Sequence, residues 1–258
     1  MLLEDKNAVI YGAGGRIGST VARAFARQGA RIFLAGRTRQ TLEAVAEDIA
    51  AIGGSAEVAE VDALDERAVG HHADAVVEEA GGIDVSFNAI WIRPVQGTPL
   101  AQMSREDFMS PIVTGTASHF LTAKAAARHM VQRGSGVILT LSTSAARLSG
   151  RDRRFHQTGG FGVACAAIEA LTMQLAGELG PRGVRVVCLR PDAIPQTWPE
   201  GFQEQGGSEV LAYMEGATML GRLPTLEEVA NTAVFMASEA ASAMTGTVAN
   251  LTCGSIAE

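Results

Sequence analysis

Cysteine, lysine, tyrosine and tryptophan are all scarce in this 258-residue chain, and each scarcity removes a class of explanation. The three cysteines, Cys165, Cys188 and Cys253, are odd in number and form no CxxC pair. Neither a disulfide framework nor a zinc site follows from them, and the chain reads as a reduced, cytoplasmic protein without a metal. No apolar stretch is expected to reach the roughly 18 residues of a membrane helix. The amino terminus runs straight into a candidate strand, which leaves no room for a signal peptide. Acidic residues outnumber basic ones, 28 to 21, for a net charge of −7. Neither nucleic acid nor an anionic membrane is therefore expected as a partner. The clusters Arg37/Arg39 and Arg151/Arg153/Arg154 are too local to reverse that balance. Lys6 and Lys124 are the only lysines, Tyr11 and Tyr213 the only tyrosines.

What is present is an alternation. Short β-branched runs at 8–11, 31–35, 56–61, 85–88, 137–141, 184–189 and 248–251 read as strands. Their uniform apolar character suits a sheet covered on both faces. Helical patterns fall between them at 17–28, 39–52, 66–80, 114–133, 161–179 and 226–238, and Gly29, Gly53, Gly81 and Gly134 follow four of these as left-handed caps. The expected fold is α/β, a single doubly wound parallel sheet of Rossmann type over residues 1–258. Two irregular stretches, 142–160 and 191–222, follow strand carboxyl ends, where open α/β sheets bind ligands.

Between the first strand and the first helix stands Gly12-Ala13-Gly14-Gly15-Arg16-Ile17-Gly18. Glycines there let the backbone turn tightly and approach a pyrophosphate, while the helix amino terminus supplies N–H donors. The second strand ends in Arg37. An acidic residue at that place would bond a ribose 2′-hydroxyl, whereas arginine suits a 2′-phosphate, so NADP(H) is expected over NAD(H). Arg16 and Arg39 are candidate assistants. Asp62, ending the third strand, is placed either to meet the adenine or to cap its loop. Asn88, ending the fourth, is read as a tie between neighbouring strands.

With these residues the chain resembles the short-chain dehydrogenase/reductase family almost end to end. Ile83-Asp84-Val85-Ser86-Phe87-Asn88-Ala89 is similar to the family's DVLVNNAG strand. Arg190-Pro191-Asp192-Ala193-Ile194 is similar to its PG-x-I segment, so Pro191 and Ile194 are expected beside the nicotinamide. Gly180 to Val186, Leu220-Gly221-Arg222 and Cys253-Gly254 fit in order. The glycine turn departs in detail: Tyr11 stands where the family has threonine and Arg16 where it has glycine, and both residues are expected to crowd or recharge the phosphate pocket.

The resemblance implies a tyrosine acid/base, a lysine four residues later, a serine and an asparagine. The physics demands such a pair, because an unperturbed phenol is a poor base at neutral pH without a nearby cation. Yet Tyr11 is followed four residues later by Gly15, and Tyr213 by Ala217, so no YxxxK exists in this chain. Counting back from Pro191 puts Phe161 at the tyrosine position and Cys165 at the lysine position; counting forward from the strand ending at Leu141 lands instead on His156 and Gly160, and neither register restores the pair. Thr143, flanked by Ser142 and Ser144, takes the serine position and Gly115 the asparagine position. The family threonine near the nicotinamide falls on Gln196 or Thr197. Ser142, Thr143 and His156 are the candidate catalytic residues, with His119 a second histidine of suitable ordinary pKa. The stretch 191–222, with Trp198, Phe202, Tyr213 and Met214, resembles the family's substrate lid. The expectation is an NADP(H)-dependent oxidoreductase with an atypical site, acting on a small carbonyl, alcohol or imine. The alternatives are a non-redox cyclase or isomerase, or a scaffold subunit. Small apolar residues on several faces of helix 161–179 (Ala164, Ala166, Ala167, Ala170, Leu171) point to a homodimer or homotetramer.

Overall fold

A computed structural model describes residues 1–151, 156–202 and 206–257. Seven parallel strands form one sheet: β1 (Asn7–Tyr11), β2 (Arg31–Gly36), β3 (Ser55–Glu60), β4 (Val85–Asn88), β5 (Gly136–Leu141), β6 (Val184–Pro191) and β7 (Thr247–Leu251), in the order β3-β2-β1-β4-β5-β6-β7. Alternate side chains enter opposite layers. Ala8 and Ile10 of β1, Ile32 and Leu34 of β2, and Val187 and Leu189 of β6 join one core with helices α1 (Arg16–Arg27), α2 (Arg39–Ala51) and α8 (Leu226–Ala237). Val9, Tyr11, Phe33, Ala35 and Val186 join the other, with α3 (Glu66–Ala80), α4 (Arg105–Arg133) and α6 (Gly159–Leu179). Fully burying each Leu, Ile, Val or Phe contributes about 1.5–3 kcal/mol. The doubly wound sheet is as expected.

Three expectations about elements need correction. Helix α4 begins at Arg105, nine residues before the expected start at 114, because Ser104 caps it through a 3.0 Å bond from the Asp107 N–H. Pro111, which argues against helix, sits inside it. The stretches expected to be irregular contain short helices, α5 (Ala145–Leu148) and α7 (Ser208–Gly216). Helix α6, continued to Arg182, is long and apolar enough to meet the length and composition of a membrane span, which corrects the expectation that no stretch reaches that length; its few polar residues are diluted over the helix. Its Gly160, Ala164, Cys165 and Ile168 are buried. Its closeness to α4 explains the small residues: a Cβ on Gly160 would lie 1.8 Å from the Phe108 carbonyl oxygen.

The strand order reverses between β1 and β4, whose last residues, Tyr11 and Asn88, are register partners. The crevice at that reversal is where open sheets of this kind take their ligands.

Candidate active site

The glycine turn lies at this crevice. Gly12 has φ +76, and a Cβ there would meet the Ala89 carbonyl oxygen at 2.6 Å. A Cβ on Gly18 would lie 2.3 Å from Gly12 O. These two glycines therefore press β1, the β4 loop and α1 together. Gly15 differs: its nearest neighbour, Gly12 O, would be 3.3 Å from a Cβ. It precedes α1 without a side-chain cap, and no acidic residue stands in the first turn. Helix α3 is capped by Asp65, α4 by Ser104 and α8 by a Thr225/Glu228 capping box, while α2 and α6 share the bare, acid-free start of α1 but do not follow its glycine turn. The N–H groups of Arg16, Ile17 and Gly18 have no carbonyl a turn behind them to bond. A bare, acid-free helix end beside a glycine turn fits a dinucleotide phosphate.

Tyr11 does not crowd this turn. Its ring is buried in the layer under α3, edge-on to His72 at 5.7 Å, and burial pushes its phenol well above the ordinary range. The expected interference came from reading it in line with the turn, whereas the strand's alternation sends it to the opposite layer. Arg16 turns its guanidinium to the carbonyl of Gln196, at 2.5 Å. Arg37, exposed at the end of β2, makes no hydrogen bond or ion pair among the described residues, while Arg39 is occupied by Glu43 at 2.8 Å. Asp62 accepts the Leu64 N–H at 3.0 Å, the loop-cap geometry, with its carboxylate exposed. Asn88 is buried, but it ties β4 to a helix rather than to a strand: Nδ2 donates to Thr122 Oγ1 and Oδ1 accepts the Ile90 N–H, both at 3.0 Å. Pro191 and Ile194 are buried at the end of β6. Thr197 donates to Ile194 O at 2.8 Å.

At the carboxyl end of β5 the three consecutive hydroxyls part company. Ser142, 1% exposed, donates to Glu169 Oε1 at 2.8 Å. It is a buried structural hydroxyl, which corrects its reading as a group open to substrate. Ser144 donates to Asp192 Oδ1 at 2.7 Å, and Ser255 bonds the other carboxylate oxygen. Asp192, in place of the family glycine, thus joins the ends of β5, β6 and β7. Thr143 is the half-buried member; its Oγ1 accepts the Ala145 N–H at 3.1 Å and lies 3.5 Å from Cys165 Sγ. Burial pushes the Cys165 thiol up to about 11, so it is no thiolate at neutral pH.

His156 is buried, with its ring 6.1 Å from that of Tyr213 on α7. Arg151, beside it in sequence, donates to Ser255 O at 3.3 Å, while Arg153 and Arg154 lie outside the described residues. His119 is removed from the candidates. It is buried on α4 with Nδ1–H on Gly115 O at 2.8 Å and Nε2 accepting the Leu141 N–H at 3.3 Å. Burial holds its imidazole down to about 4 despite the Gly115 bond. A Cβ on Gly115 would lie 2.8 Å from Ile92 Cδ1, so a larger residue there requires the end of the Ile92 side chain to move.

Sequence reasoning missed Glu169 and Arg190. Arg190 is wholly buried, with Nε and Nη2 on the Glu169 carboxylate at 2.7 and 2.9 Å beneath Ser142. Two charges in apolar runs, 21 residues apart on a helix and a strand, were the available signal.

A family profile described as Enoyl-(Acyl carrier protein) reductase matches residues 12–255. The chain is 32% identical over 250 residues to the L-rhamnose 1-dehydrogenase (NAD(P)(+)) of Azotobacter vinelandii, over 95% of this chain and 94% of that one. It is 30% identical over 246 residues to the gluconate 5-dehydrogenase of Gluconobacter oxydans, over 95% and 93%. A crystal structure of a short-chain type dehydrogenase/reductase from Mycobacterium marinum matches it with a TM-score of 0.86 at 31% identity, covering 98% of this chain and 96% of the other. The sheet order, the glycine turn at its reversal and these matches along nearly the whole length agree, and the chain belongs to the short-chain dehydrogenase/reductase family of oxidoreductases.

Proposed function

We propose that this protein binds NADP(H) in the crevice at β1 and β4 and uses it as an atypical oxidoreductase on a small carbonyl, alcohol or imine. The observation that carries the cofactor choice is Arg37, exposed at the end of β2 with no partner among the described residues. A free guanidinium there is suited to a 2′-phosphate. Gly12, Gly15, Ile17 and Gly18 would hold the pyrophosphate, with Arg16 beside them; Asp62 would meet the adenine, Asn88 would support the end of β4, and Pro191 and Ile194 would lie beside the nicotinamide. Bound nicotinamide supplies the hydride.

Thr143 is proposed to orient the substrate. Its Oγ1 receives the Ala145 N–H at 3.1 Å and lies 3.5 Å from the protonated Cys165 thiol, a pair in which either atom can donate. Sulfur is a weak acceptor, and the hydroxyl is proposed to turn its hydrogen from it to a substrate oxygen. His156, under Tyr213, is proposed as the proton donor, and residues 191–222 as the lid. A second reading, without ordinary redox chemistry, is favoured by one observation: Phe161, the buried neutral Cys165 and Gly115 bring no acid/base pair to the family positions.

Titration of NADPH followed by its nicotinamide fluorescence, and of NADP⁺ by displacement of bound NADPH, is expected to saturate, and Arg37→Ala to weaken NADPH about ten-fold with little effect on NADH. No saturable binding of either would remove the oxidoreductase reading. With a carbonyl or imine substrate found by screening, Thr143→Val and His156→Ala are each expected to lower kcat about 10²-fold. Unchanged turnover in either discards that residue. Turnover without a change in nicotinamide absorbance selects the second reading.

We further propose a cytoplasmic homodimer or homotetramer. Val163, Ala166, Ala170 and Met173 form an exposed row along α6, and Met109, Val113 and Phe120 are exposed on α4. A single-chain mass in light scattering at micromolar concentration would contradict it.

A further inference from the structure

Arg16 stands where the family's motif has glycine, at the first position of α1 and at the surface. Its Nη1 donates across the crevice to the backbone carbonyl of Gln196, 180 residues later. Gln196 lies in the short turn Pro195–Thr197 at the root of the proposed lid. That turn is closed by the Thr197 N–H on Ile194 O and the Trp198 N–H on Pro195 O, at 2.8 and 3.1 Å. From the other side, the Gln196 side chain accepts the N–H of Leu226, the first residue of α8, at 3.2 Å. The turn is thus pinned between the amino ends of two helices. Gln196 Nε2 also donates to Glu227 Oε2 at 3.5 Å, so the single pin on the α1 side is the Arg16 side chain, whose planar guanidinium keeps further N–H donors. The backbone of the same residue belongs to the bare end of α1 that suits a phosphate.

We propose that Arg16 is a strap. It holds the root of the lid against the glycine turn, and it shares its guanidinium with the dinucleotide phosphate, so that cofactor binding and lid position are coupled. The sharing rests on the cofactor reading above; the strap itself does not. Linkage requires reciprocity, so the lid tightens the phosphate by as much as the phosphate tightens the lid.

Hydrogen exchange on the full-length protein, read in peptides covering 194–202, tests both parts. Without nucleotide, Arg16→Gly is expected to exchange about five-fold faster there than wild type, the effect of losing one charged surface hydrogen bond. Peptides over 83–89 serve as the internal control and are expected to be unchanged. NADPH is expected to slow exchange over 194–202 in wild type, and to fail to do so in Arg16→Gly. Arg16→Lys, which keeps the charge but not the fork, is expected to fall between them. Arg37→Ala is expected to weaken NADPH without altering exchange in nucleotide-free protein. Wild-type exchange over 194–202 in nucleotide-free Arg16→Gly overturns the strap. Failure of wild type to bind NADPH, with Arg16→Gly still exchanging faster, overturns the coupling together with the cofactor reading.

Discussion

Replacing Glu169 by alanine is expected to destabilise the protein by about 3–5 kcal/mol, the range for breaking a buried ion pair from one side. Glu169 is 3% exposed and receives two N–H groups of Arg190, which is wholly buried, and the hydroxyl of Ser142. Arg147, more than half exposed, reaches the same carboxylate at 3.7 Å and adds little through solvent. Without the carboxylate, Arg190 keeps its desolvation cost and loses the two charge-assisted bonds that Glu169 supplies. Ser142 loses its acceptor as well. For a chain of this size the effect corresponds to a fall in Tm of about 10 °C. The double variant Glu169→Leu with Arg190→Met is expected to recover most of the loss, because two well-packed apolar side chains replace such a pair at little net cost. Urea unfolding of wild type and the two variants checks this. A loss below about 1 kcal/mol for Glu169→Ala would show that the pair contributes nothing to the fold.

The second large effect is a loss of stability in mild acid. His119 is neutral in the folded protein and is held down to about 4, first by burial, with the bond to Gly115 acting in the opposite direction. In the unfolded chain its pKa returns to about 6.5. The unfolded state therefore binds a proton that the folded state refuses between those values. The contribution is full above pH 6.5, declines as the pH falls, and is gone below about 4. At pH 4.5 the loss from this residue alone is about 2–3 kcal/mol. His72, held down to about 4 by burial, acts with the same sign. Protonated His119 could no longer accept the Leu141 N–H, which anchors the end of β5 just before Ser142. His119→Gln is expected to be less stable than wild type at pH 7.5 and to lose less between pH 7.5 and 4.5. Equal losses in the two proteins would rule out His119 as the titrating group.

The sequence served best where a local rule acts alone. Gly81 and Gly134 follow helices in the left-handed conformation, as their positions imply. Strand periodicity located all seven strands to within two residues. It served worst where two distant residues decide each other's role. Ser142, Thr143 and Ser144 are indistinguishable as a run of hydroxyls. One is claimed by Glu169 from α6, one by Asp192 at the end of β6, and only Thr143 keeps a half-buried place beside Cys165. His119 and His156 likewise begin with the same ordinary pKa. The first is locked between α4 and β5, while the second faces the lid.

By itself, then, the order of residues determined the doubly wound sheet, the glycine turn and the absence of a YxxxK pair. Each is a matter of periodicity, of backbone conformations that only glycine accepts readily, or of simple counting. Tertiary structure decided which polar groups are occupied and which are open. It buried Tyr11 in the opposite layer, committed Ser142 to an internal ion pair, gave Arg16 a carbonyl on the lid and left Arg37 without a partner among the described residues. The physical reason is that a hydrogen bond or a charge has no fixed role until its partner and its solvent are known. Both are brought to it by chain segments far away in sequence.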